Sequence, residues 1–228
     1  MGPRFLSFHA ARQSLLTTVV VAGLLLAFTG SACAGGQKEE ALADSVRTAL
    51  SAAVGRAAPP SPIFADQVQQ NVFERWVQTS EGRLVKKKPA DLVRREFLQT
   101  VWYEAKRAGL DPGLVMGLIE VESGFRKYAI SSVGARGYMQ VMPFWTRQIG
   151  DGEASALFHM QTNLRFGCVI LRHYLNVEKG NLFMALGRYN GSRGRAEYPN
   201  AVMGAWRRWK MPEAGVQLAQ SDRSGASH

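Results

Sequence analysis

The sequence predicts an all-α or helix-dominated protein with one compact domain. In successive segments, apolar residues recur at spacings of three and four, which is the period of an amphipathic helix. No stretch of convincing length alternates apolar and polar residues as a half-buried strand would, and the sequence has no internal repeat. A chain of 228 residues, of which 46% are hydrophobic, is long enough for one core and short for two large domains.

The first segment, residues 1–34, is predicted to be a secretory signal peptide. Two arginines precede an apolar run over residues 15–28, and small residues follow as far as Ala34. The run is shorter than the roughly 18 to 20 apolar residues that span a bilayer. The sequence therefore predicts a soluble periplasmic protein. The alternative is an outer-membrane lipoprotein anchored through Cys33, although Gly30 stands where such signals usually carry Leu.

The next two segments are predicted to lie outside the compact domain. Residues 35–64 are rich in Ala, Gly, Ser and Pro, and Ala57–Pro62 cannot continue a helix, so a flexible tether is predicted. The run Lys86–Lys88 is interpreted as a solvated turn. Residues 65–88 are predicted to form an accessory helical arm, since apolar residues recur there at helical spacing: Val68, Val72, Phe73 and Trp76.

The compact domain is predicted over residues 89–212, and it begins with two consecutive helices. The first covers Asp91–Ala108, and its buried face is predicted to carry Val93, Phe97, Val101, Trp102 and Ala105. The second starts at the N-cap residue Asp111, has Pro112 at its first position and stops at Gly124.

Three further helices complete the prediction. One covers Asn163–Tyr174 and holds Cys168 as a small buried hydrophobe. The next is capped by Asn181, and the last opens at Pro199. The tail, residues 213–228, is predicted to be disordered. Three tryptophans are predicted to occupy core positions, with stacking on sugars as the alternative: Trp145, Trp206 and Trp209.

The charge balance indicates an anionic partner. The formal net charge is +10, and nucleic acid, lipid headgroups or the peptide carboxylates of cell wall would each match it, so charge alone does not choose. The four histidines are scattered, and no Gly-rich phosphate loop follows a strand pattern. Neither a metal nor a cofactor is therefore predicted.

One carboxylate faces the predicted core. Glu122 lies three residues after Ile119 and four after Leu118, so it shares their apolar helix face. Glu120 lies about 200° round the helix from Leu118 and is predicted to face solvent. Burial disfavours a charged carboxyl and raises its pKa, which suits Glu122 to act as a general acid. The alternative is that Glu122 only satisfies backbone amides or an arginine near the helix end.

Three blocks around this helix form a recognisable pattern. They resemble the signature of the soluble lytic transglycosylase family, in which Glu-Ser-x-Phe is followed by Ser-x-x-Gly-Ala-x-Gly-x-Met-Gln and a Pro, then by Ala-Leu-x-x-Tyr-Asn-x-Gly and Tyr-x-x-x-Val. The resemblance covers roughly residues 90–209, and Ser192 stands where many members have Gly. The matching residues are Glu122-Ser123-Gly124-Phe125, Ser131-Ser132-Val133-Gly134-Ala135-Arg136-Gly137-Tyr138-Met139-Gln140 with Pro143, Ala185-Leu186-Gly187-Arg188-Tyr189-Asn190-Gly191-Ser192, and Tyr198 with Val202.

This resemblance implies a lysozyme-like domain of the goose-type or transglycosylase kind, with a cleft for peptidoglycan glycan strands. It implies that Glu122 first protonates the β-1,4 oxygen between N-acetylmuramic acid (MurNAc) and N-acetylglucosamine (GlcNAc). Glu122 then takes a proton from the C6 hydroxyl, which leaves a 1,6-anhydro end without using water. Tyr189 would hydrogen-bond near Glu122. The implied substrate-binding residues are Ser131, Met139, Gln140, Tyr189 and Asn190.

Alternative functions stay open at the level of sequence. Between Ser123 and Gly150 there is no Asp or Glu, which fits a route where the substrate's N-acetyl group replaces a second carboxylate. The alternatives are a goose-type lysozyme hydrolase that uses water, a non-catalytic peptidoglycan-binding or assembly module, and a basic nucleic-acid binder. The predicted partners are glycan strands and an envelope or secretion complex, without nucleic acid, and with membrane contact only through a lipidated Cys33.

Overall fold

The computed structural model describes residues 36–55 and 64–211, and this part of the chain is helical. Extended backbone pairs there only in two isolated antiparallel bridges, which join Arg136 to Ile130 and to Val141. The predicted helix-dominated class is therefore confirmed. The predicted signal peptide, Cys33 and the predicted tail lie outside the described residues.

The described helices, in chain order, are α1 (Asp44–Gly55), α2 (Gln67–Leu84), α3 (Asp91–Arg107), α4 (Pro112–Ser123), α5 (Phe144–Ile149), α6 (Met160–Val177), α7 (Leu182–Asn190) and α8 (Glu197–Trp209). A short 3₁₀-helix lies between α5 and α6, at Ala154–Phe158. Across these described ranges, no helix combines the length and the apolar character that a membrane span requires.

Helix α4 lies at the centre of the domain and packs along α8. Its ends are the predicted ones. The Asp111 carboxylate accepts a hydrogen bond of 2.9 Å from the Leu114 N–H, and Gly124 ends the helix in the left-handed conformation. Gly117 lets the two helix backbones approach, since a Cβ there would lie 2.6 Å from the backbone nitrogen of Trp206. The central helix is thus held in a fixed position.

The prediction of a flexible tether is wrong for Asp44–Gly55, which form α1. This helix packs against α5 and α6, and it buries Val54. Leu50 precedes Val54 by four residues and lies against the same core, so the helix has an apolar side to bury. Residues 56–63, which contain the proline run, lie outside the described residues.

The accessory arm forms a helix, as its pattern predicts, and this helix is docked. Helix α2 packs on α3, where Trp102 contacts two aromatic rings of the arm. The ring centroids of Trp76 and Trp102 are 5.3 Å apart, and those of Phe73 and Trp102 are 5.4 Å apart. Burying one such side chain contributes roughly 1.5 to 3 kcal/mol, so the arm adds to the stability of the domain.

The lysine run after α2 is only partly a solvated turn. Lys86 and Lys87 are exposed as predicted, but Lys88 is buried. Its ammonium donates a hydrogen bond of 2.7 Å to the Tyr138 hydroxyl and lies 4.5 Å from the centroid of the Phe97 ring. Burial, assisted by repulsion from another lysine, lowers the pKa of Lys88 to about 8. Lys88 therefore ties the arm to the compact domain.

The predicted core is confirmed except at two positions. Val93 is exposed on α3 instead of buried. Trp206 is only partly buried, and its indole N–H donates a hydrogen bond of 2.9 Å to the Asp111 carboxylate. The predicted core residues that are buried are Phe97, Val101, Trp102, Ala105, Trp145, Cys168 and Trp209.

Candidate active site

Helix α4 carries Glu122 into the interior, as the spacing of its apolar residues predicts. Glu122 lies in the last turn of the helix and is only 4% exposed. Glu120 is on another side of the helix, where it accepts hydrogen bonds from the Arg208 guanidinium and from the Trp209 indole. The two acids therefore have separate surroundings. Glu122 faces the domain interior, and the partly exposed Glu120 joins α4 to α8.

The polar contact of Glu122 comes from α8. The Tyr198 hydroxyl donates a hydrogen bond of 2.5 Å to the Oε1 atom of Glu122. The Oε2 atom is buried and has no hydrogen-bond partner among the described residues. Burial raises the pKa of Glu122 to about 8, and the hydrogen bond from Tyr198 only partly opposes this effect. The carboxyl group is thus largely protonated at neutral pH.

Residues 130–141, which follow α4, fold into two consecutive tight turns that we call the double turn. Asn163 of α6 anchors them. The Asn163 amide donates hydrogen bonds of 2.8 Å to the carbonyl oxygens of Arg136 and Leu157, and its oxygen accepts one of 2.8 Å from the Met139 N–H. Gly137 lies against this amide with a φ of +75°, and a Cβ there would be 2.3 Å from the Asn163 nitrogen. Glycine is therefore required at this turn.

Three predicted substrate-binding residues lie in this double turn. The partly exposed Ser131 accepts a hydrogen bond of 3.0 Å at Oγ from the Ala135 N–H. The buried Gln140 donates from its amide to the carbonyl oxygens of Ala129 and Gly137, at 3.1 and 2.9 Å. Met139 is completely buried. The last two side chains thus support the turn from inside, and their contact with sugar stays a prediction.

Tyr189 is close to Glu122 but is not its hydrogen-bond partner. Its hydroxyl is fully buried and donates a hydrogen bond of 2.8 Å to the Met139 carbonyl oxygen. The nearby Glu122 carboxylate is one of the causes, after burial, that raise the pKa of Tyr189 well above its ordinary value. Asn190, the last residue of α7, is also buried. The tyrosine that hydrogen-bonds the acid is Tyr198, which belongs to the last of the motif blocks and for which no role was predicted.

A further side chain near the site comes from outside the motif blocks. Gln37 is 5% exposed, and its side-chain oxygen accepts a hydrogen bond of 3.0 Å from the Trp145 indole and one of 3.4 Å from the Met142 N–H. Gln37 also forms a hydrogen bond with Tyr189. This contact partly opposes the rise in the pKa of Tyr189 that burial causes. A glutamine in a segment that looks like a tether gives no signal of this kind in the sequence.

The other acidic and metal-binding side chains do not add to this site. Asp151 and Glu153 are exposed in the loop before the 3₁₀-helix. Within residues 36–55 and 64–211, no three His, Cys, Asp or Glu side chains cluster in a way that would hold a metal ion. The site therefore contains one protonated carboxyl group, that of Glu122, which accepts a hydrogen bond from Tyr198 and lies beside a rigid turn.

A family model described as "Transglycosylase SLT domain" matches residues 99–210. This range contains Glu122, the double turn and Tyr198, and it agrees with the predicted lysozyme-like domain. It begins after α2 and so leaves out Gln37 and Lys88.

Several curated proteins are similar to part of the chain. Over 100 residues the chain is 47% identical to "Membrane-bound lytic murein transglycosylase C" of Glaesserella parasuis, which covers 41% of this chain and 24% of that protein. The protein of the same name from Actinobacillus pleuropneumoniae serotype 5b is 32% identical over 100 residues, with the same coverage. The "Transglycosylase" of Enterobacteria phage PRD1 is 30% identical over 115 residues, or 47% of this chain and 42% of that protein. The chain thus spans less than half the length of these relatives.

Among solved structures, an inactive mutant of lytic transglycosylase Slt from Pseudomonas aeruginosa matches 68% of this chain and 28% of its own. The sequence identity is 22% and the TM-score is 0.39.

Proposed function

We propose, from the match of residues 99–210 to the transglycosylase SLT domain model, that the chain is a peptidoglycan lytic transglycosylase. The proposed reaction cleaves the β-1,4 bond between MurNAc and GlcNAc and leaves a 1,6-anhydro-MurNAc end. The observation that carries this proposal is the state of Glu122, a buried carboxyl whose pKa is raised to about 8.

In this proposal Glu122 performs both proton transfers. The protonated carboxyl gives its proton to the bridging oxygen as the bond from that oxygen to C1 of MurNAc breaks. The resulting carboxylate takes the proton from the C6 hydroxyl as the C6 oxygen bonds to C1, so the acid is regenerated and water is not consumed. Since Oε1 accepts from Tyr198, the unpartnered Oε2 is the atom that we assign to carry the proton.

The surroundings of Glu122 support a mechanism with one carboxylate. In the described part of the chain, its pKa responds to burial and to Tyr198, and no second acid contributes. Glycosidases that use a nucleophile or activate water generally place a second carboxylate near the first. We therefore assign stabilisation of the cation-like centre to the substrate's own N-acetyl group.

The substrate-binding roles follow the surroundings of each side chain. We assign direct contact with sugar to Ser131, which is partly exposed. Met139 and Gln140 are also assigned to the glycan-binding wall, whose shape their buried side chains maintain. Tyr189 and Asn190 are assigned to the corner beside Glu122, where the Tyr189 hydroxyl holds the Met139 carbonyl.

The proposed location is the cell envelope, where peptidoglycan is found. The relatives named as membrane-bound murein transglycosylases support this location. Export through the predicted signal peptide, lipidation of Cys33, and recruitment by an envelope or secretion complex belong to the same proposal.

The products of a peptidoglycan digest test the reaction directly. The purified protein is expected to release muropeptides with anhydro ends, one water lighter than reducing ends in a mass spectrum. Reducing ends alone would show a goose-type hydrolase instead. The absence of any cleavage, with binding retained, would favour a non-catalytic peptidoglycan-binding module.

The assignment of Glu122 is tested by Glu122→Gln with Glu120→Gln as the matched control. We expect Glu122→Gln to lower kcat by about 100-fold or more, the usual contribution of a general acid. Glu120→Gln changes a carboxylate two residues away that binds Arg208 and Trp209, and it should keep kcat within about threefold of wild type. Equal activity in Glu122→Gln and wild type would move the acid elsewhere.

Stability separates lost chemistry from lost folding in the same variant. The pKa of Glu122 in the folded protein is about 8, above the ordinary value of 4.5, so the folded state binds the proton more tightly. This contribution to the free energy of unfolding is fully present below pH 4.5 and is lost as the pH rises towards 8. Glutamine mimics the protonated form, so Glu122→Gln should be more resistant to urea than wild type at pH 8 and similar to it at pH 4.5.

A further inference from the structure

The surface beside the double turn carries a group of aromatic, aliphatic and cationic side chains that are exposed or half-buried. Tyr128 is 70% exposed and Ile130 is 65% exposed, which is unusual for large apolar side chains so close along the chain. We call this group the Tyr128 strip. It consists of Lys127, Tyr128, Ile130, Arg136 and Phe158.

The side chains of the Tyr128 strip touch one another in a row. The ring centroids of Tyr128 and Phe158 are 5.9 Å apart. The Lys127 ammonium lies 5.2 Å from the centroid of the Tyr128 ring, and the Arg136 guanidinium carbon lies 5.6 Å from that of Phe158. Ile130 pairs with Arg136 in an antiparallel bridge, which puts their side chains on the same face. The strip is thus a continuous surface with a cation near each end.

Within the described residues, neither cation of the strip forms an ion pair with a carboxylate. Many exposed arginines of the described chain form ion pairs, such as Arg193 with Glu178, but neither Lys127 nor Arg136 does so within the described residues. Lys127 instead repels Lys88, which helps to lower the pKa of that lysine. The charge of Arg136 helps to lower the pKa of the exposed Glu153, but it is the smallest of the effects on that pKa. The strip therefore has unused positive charge for an anionic ligand.

We propose that the Tyr128 strip binds the peptide stem of peptidoglycan, the short peptide carried by each MurNAc. This inference rests on the proposed function. The stem combines carboxylates with small apolar side chains such as the methyl groups of alanine. Its carboxylates would bind Lys127 and Arg136, and its methyl groups would lie on Tyr128 and Ile130. The bridge between Ile130 and Arg136 adjoins Ser131, the residue assigned to contact sugar, so a stem carried by a sugar at Ser131 would lie next to the strip.

The chemistry of the strip favours a peptide stem over a sugar. A neutral sugar offers no anionic group to the two cations of the strip, which lie over the rings of Tyr128 and Phe158. What remains available is charge at two points with apolar surface between them. That pattern matches a short acidic peptide.

Binding to two forms of one substrate tests the proposal. The parent protein carries Glu122→Gln so that the substrate is not consumed. Its binding is measured to peptidoglycan immobilised on a surface through its glycan strands, first intact and then after an amidase has removed the stems. The parent should bind intact peptidoglycan more tightly. Adding Lys127→Gln and Arg136→Gln together should weaken this binding by about 10-fold, the size expected from losing two exposed charge contacts. Binding to stripped glycan should change by less than about twofold.

Three further variants distinguish binding by the strip from general effects of charge or folding. Lys106→Gln removes another lysine that lies over an aromatic ring, 4.9 Å from the centroid of Trp102 on α3, and it should not change the preference for stems. Tyr128→Phe should keep the preference and Tyr128→Ala should reduce it, because only the alanine removes the ring. Thermal unfolding of each variant reports whether its fold is intact.

Two outcomes would overturn the proposal. One is equal binding of both substrates by the parent, and the other is an unchanged preference for intact peptidoglycan in the double variant. Equal losses on both substrates would mean that the strip binds sugar. The binding measurement needs no turnover, so it is read independently of the digest. A wild type that produces no cleavage would defeat the proposed function while the preference for stems is still scored.

Discussion

Two opposing effects on a single proton decide what Glu122 can do. Burial makes the charged form unfavourable, and the hydrogen bond from Tyr198 makes it more favourable, with burial the larger. The pKa of Tyr198 is itself raised well above its ordinary value, first by burial and then by the neighbouring Glu122, so its hydroxyl stays a donor. Tyr198 is thus the side chain that adjusts the proton affinity of the acid.

Replacing Tyr198 with phenylalanine should therefore shift the pH dependence of catalysis. The reaction needs protonated Glu122 in the free enzyme, so kcat/KM should fall as the pH rises through about 8 in the wild type. Tyr198→Phe removes the hydrogen bond that favours the carboxylate and should move this fall to higher pH, by up to about one unit. The measurement is kcat/KM for soluble glycan between pH 5 and pH 10.

Tyr189→Phe is the matched control for this shift. Its hydroxyl bonds the Met139 carbonyl and not Glu122, so the variant should lose stability while the fall in kcat/KM stays near pH 8. A shift in Tyr189→Phe and none in Tyr198→Phe would reverse the assignment of the two tyrosines.

The sequence finds the acid but not its partner for a physical reason. The position of Glu122 follows from helical spacing, because Ile119 and Leu118 lie within one turn of the same helix. The partner lies 76 residues away on α8, and no local period relates the two helices. Tyr189, which the family resemblance placed near the acid, is indeed close to it, but the direction of a hydroxyl depends on packing that a motif does not record.

At the scale of elements, the double turn depends on Gly137. The residue has a φ of +75°, and any Cβ would press on the Asn163 amide that bonds Met139, Arg136 and Leu157. Gly137→Ala should lower the free energy of unfolding by about 3 kcal/mol or more, since left-handed strain adds to the loss of buried hydrogen bonds. Urea unfolding measures this loss, and peptidoglycan cleavage should fall with it.

Gly134→Ala separates strain from crowding in the same turn. Gly134 also has a positive φ, of +86°, but a Cβ there would meet no atom within 4 Å. This variant should lose only about 1 to 2 kcal/mol, which is the cost of the backbone conformation alone. Equal losses at the two positions would show that Asn163 is not what makes Gly137 necessary.

The predictions for α1 and for Lys88 were wrong because local composition hid the relevant pattern. In α1, Val46, Leu50 and Val54 recur every four residues, which is a helical signal, but the many Ala and Ser residues and the nearby prolines favoured a tether. Lys88 is the last of three lysines, and a run of like charges is usually solvated. Only the approach of the Tyr138 hydroxyl and the Phe97 ring makes its burial tolerable.

At the scale of the whole molecule, the stable unit is larger than the range that the family model matches. The match begins at residue 99, yet Trp102 is covered by the Phe73 and Trp76 rings of α2. On another side, the Trp145 indole has its acceptor in Gln37, in the segment before α1. The N-terminal segments therefore pack against the domain and cover part of its core.

A fragment of residues 89–211 should consequently be much less stable than one of residues 36–211. Removing α1 and α2 uncovers Trp102 and leaves the Trp145 indole without its acceptor, and the lost burial of four large side chains alone amounts to roughly 5 kcal/mol or more. The four are Phe73, Trp76, Val77 and Leu84. Since a domain of this size is stable by about 5 to 15 kcal/mol, the shorter fragment should unfold at low urea or bind a hydrophobic dye. The single variant Gln37→Ala in the longer fragment should lose only about 1 to 3 kcal/mol. If both fragments unfold cooperatively at the same urea concentration, the docking of α1 and α2 contributes little to the stability of the domain.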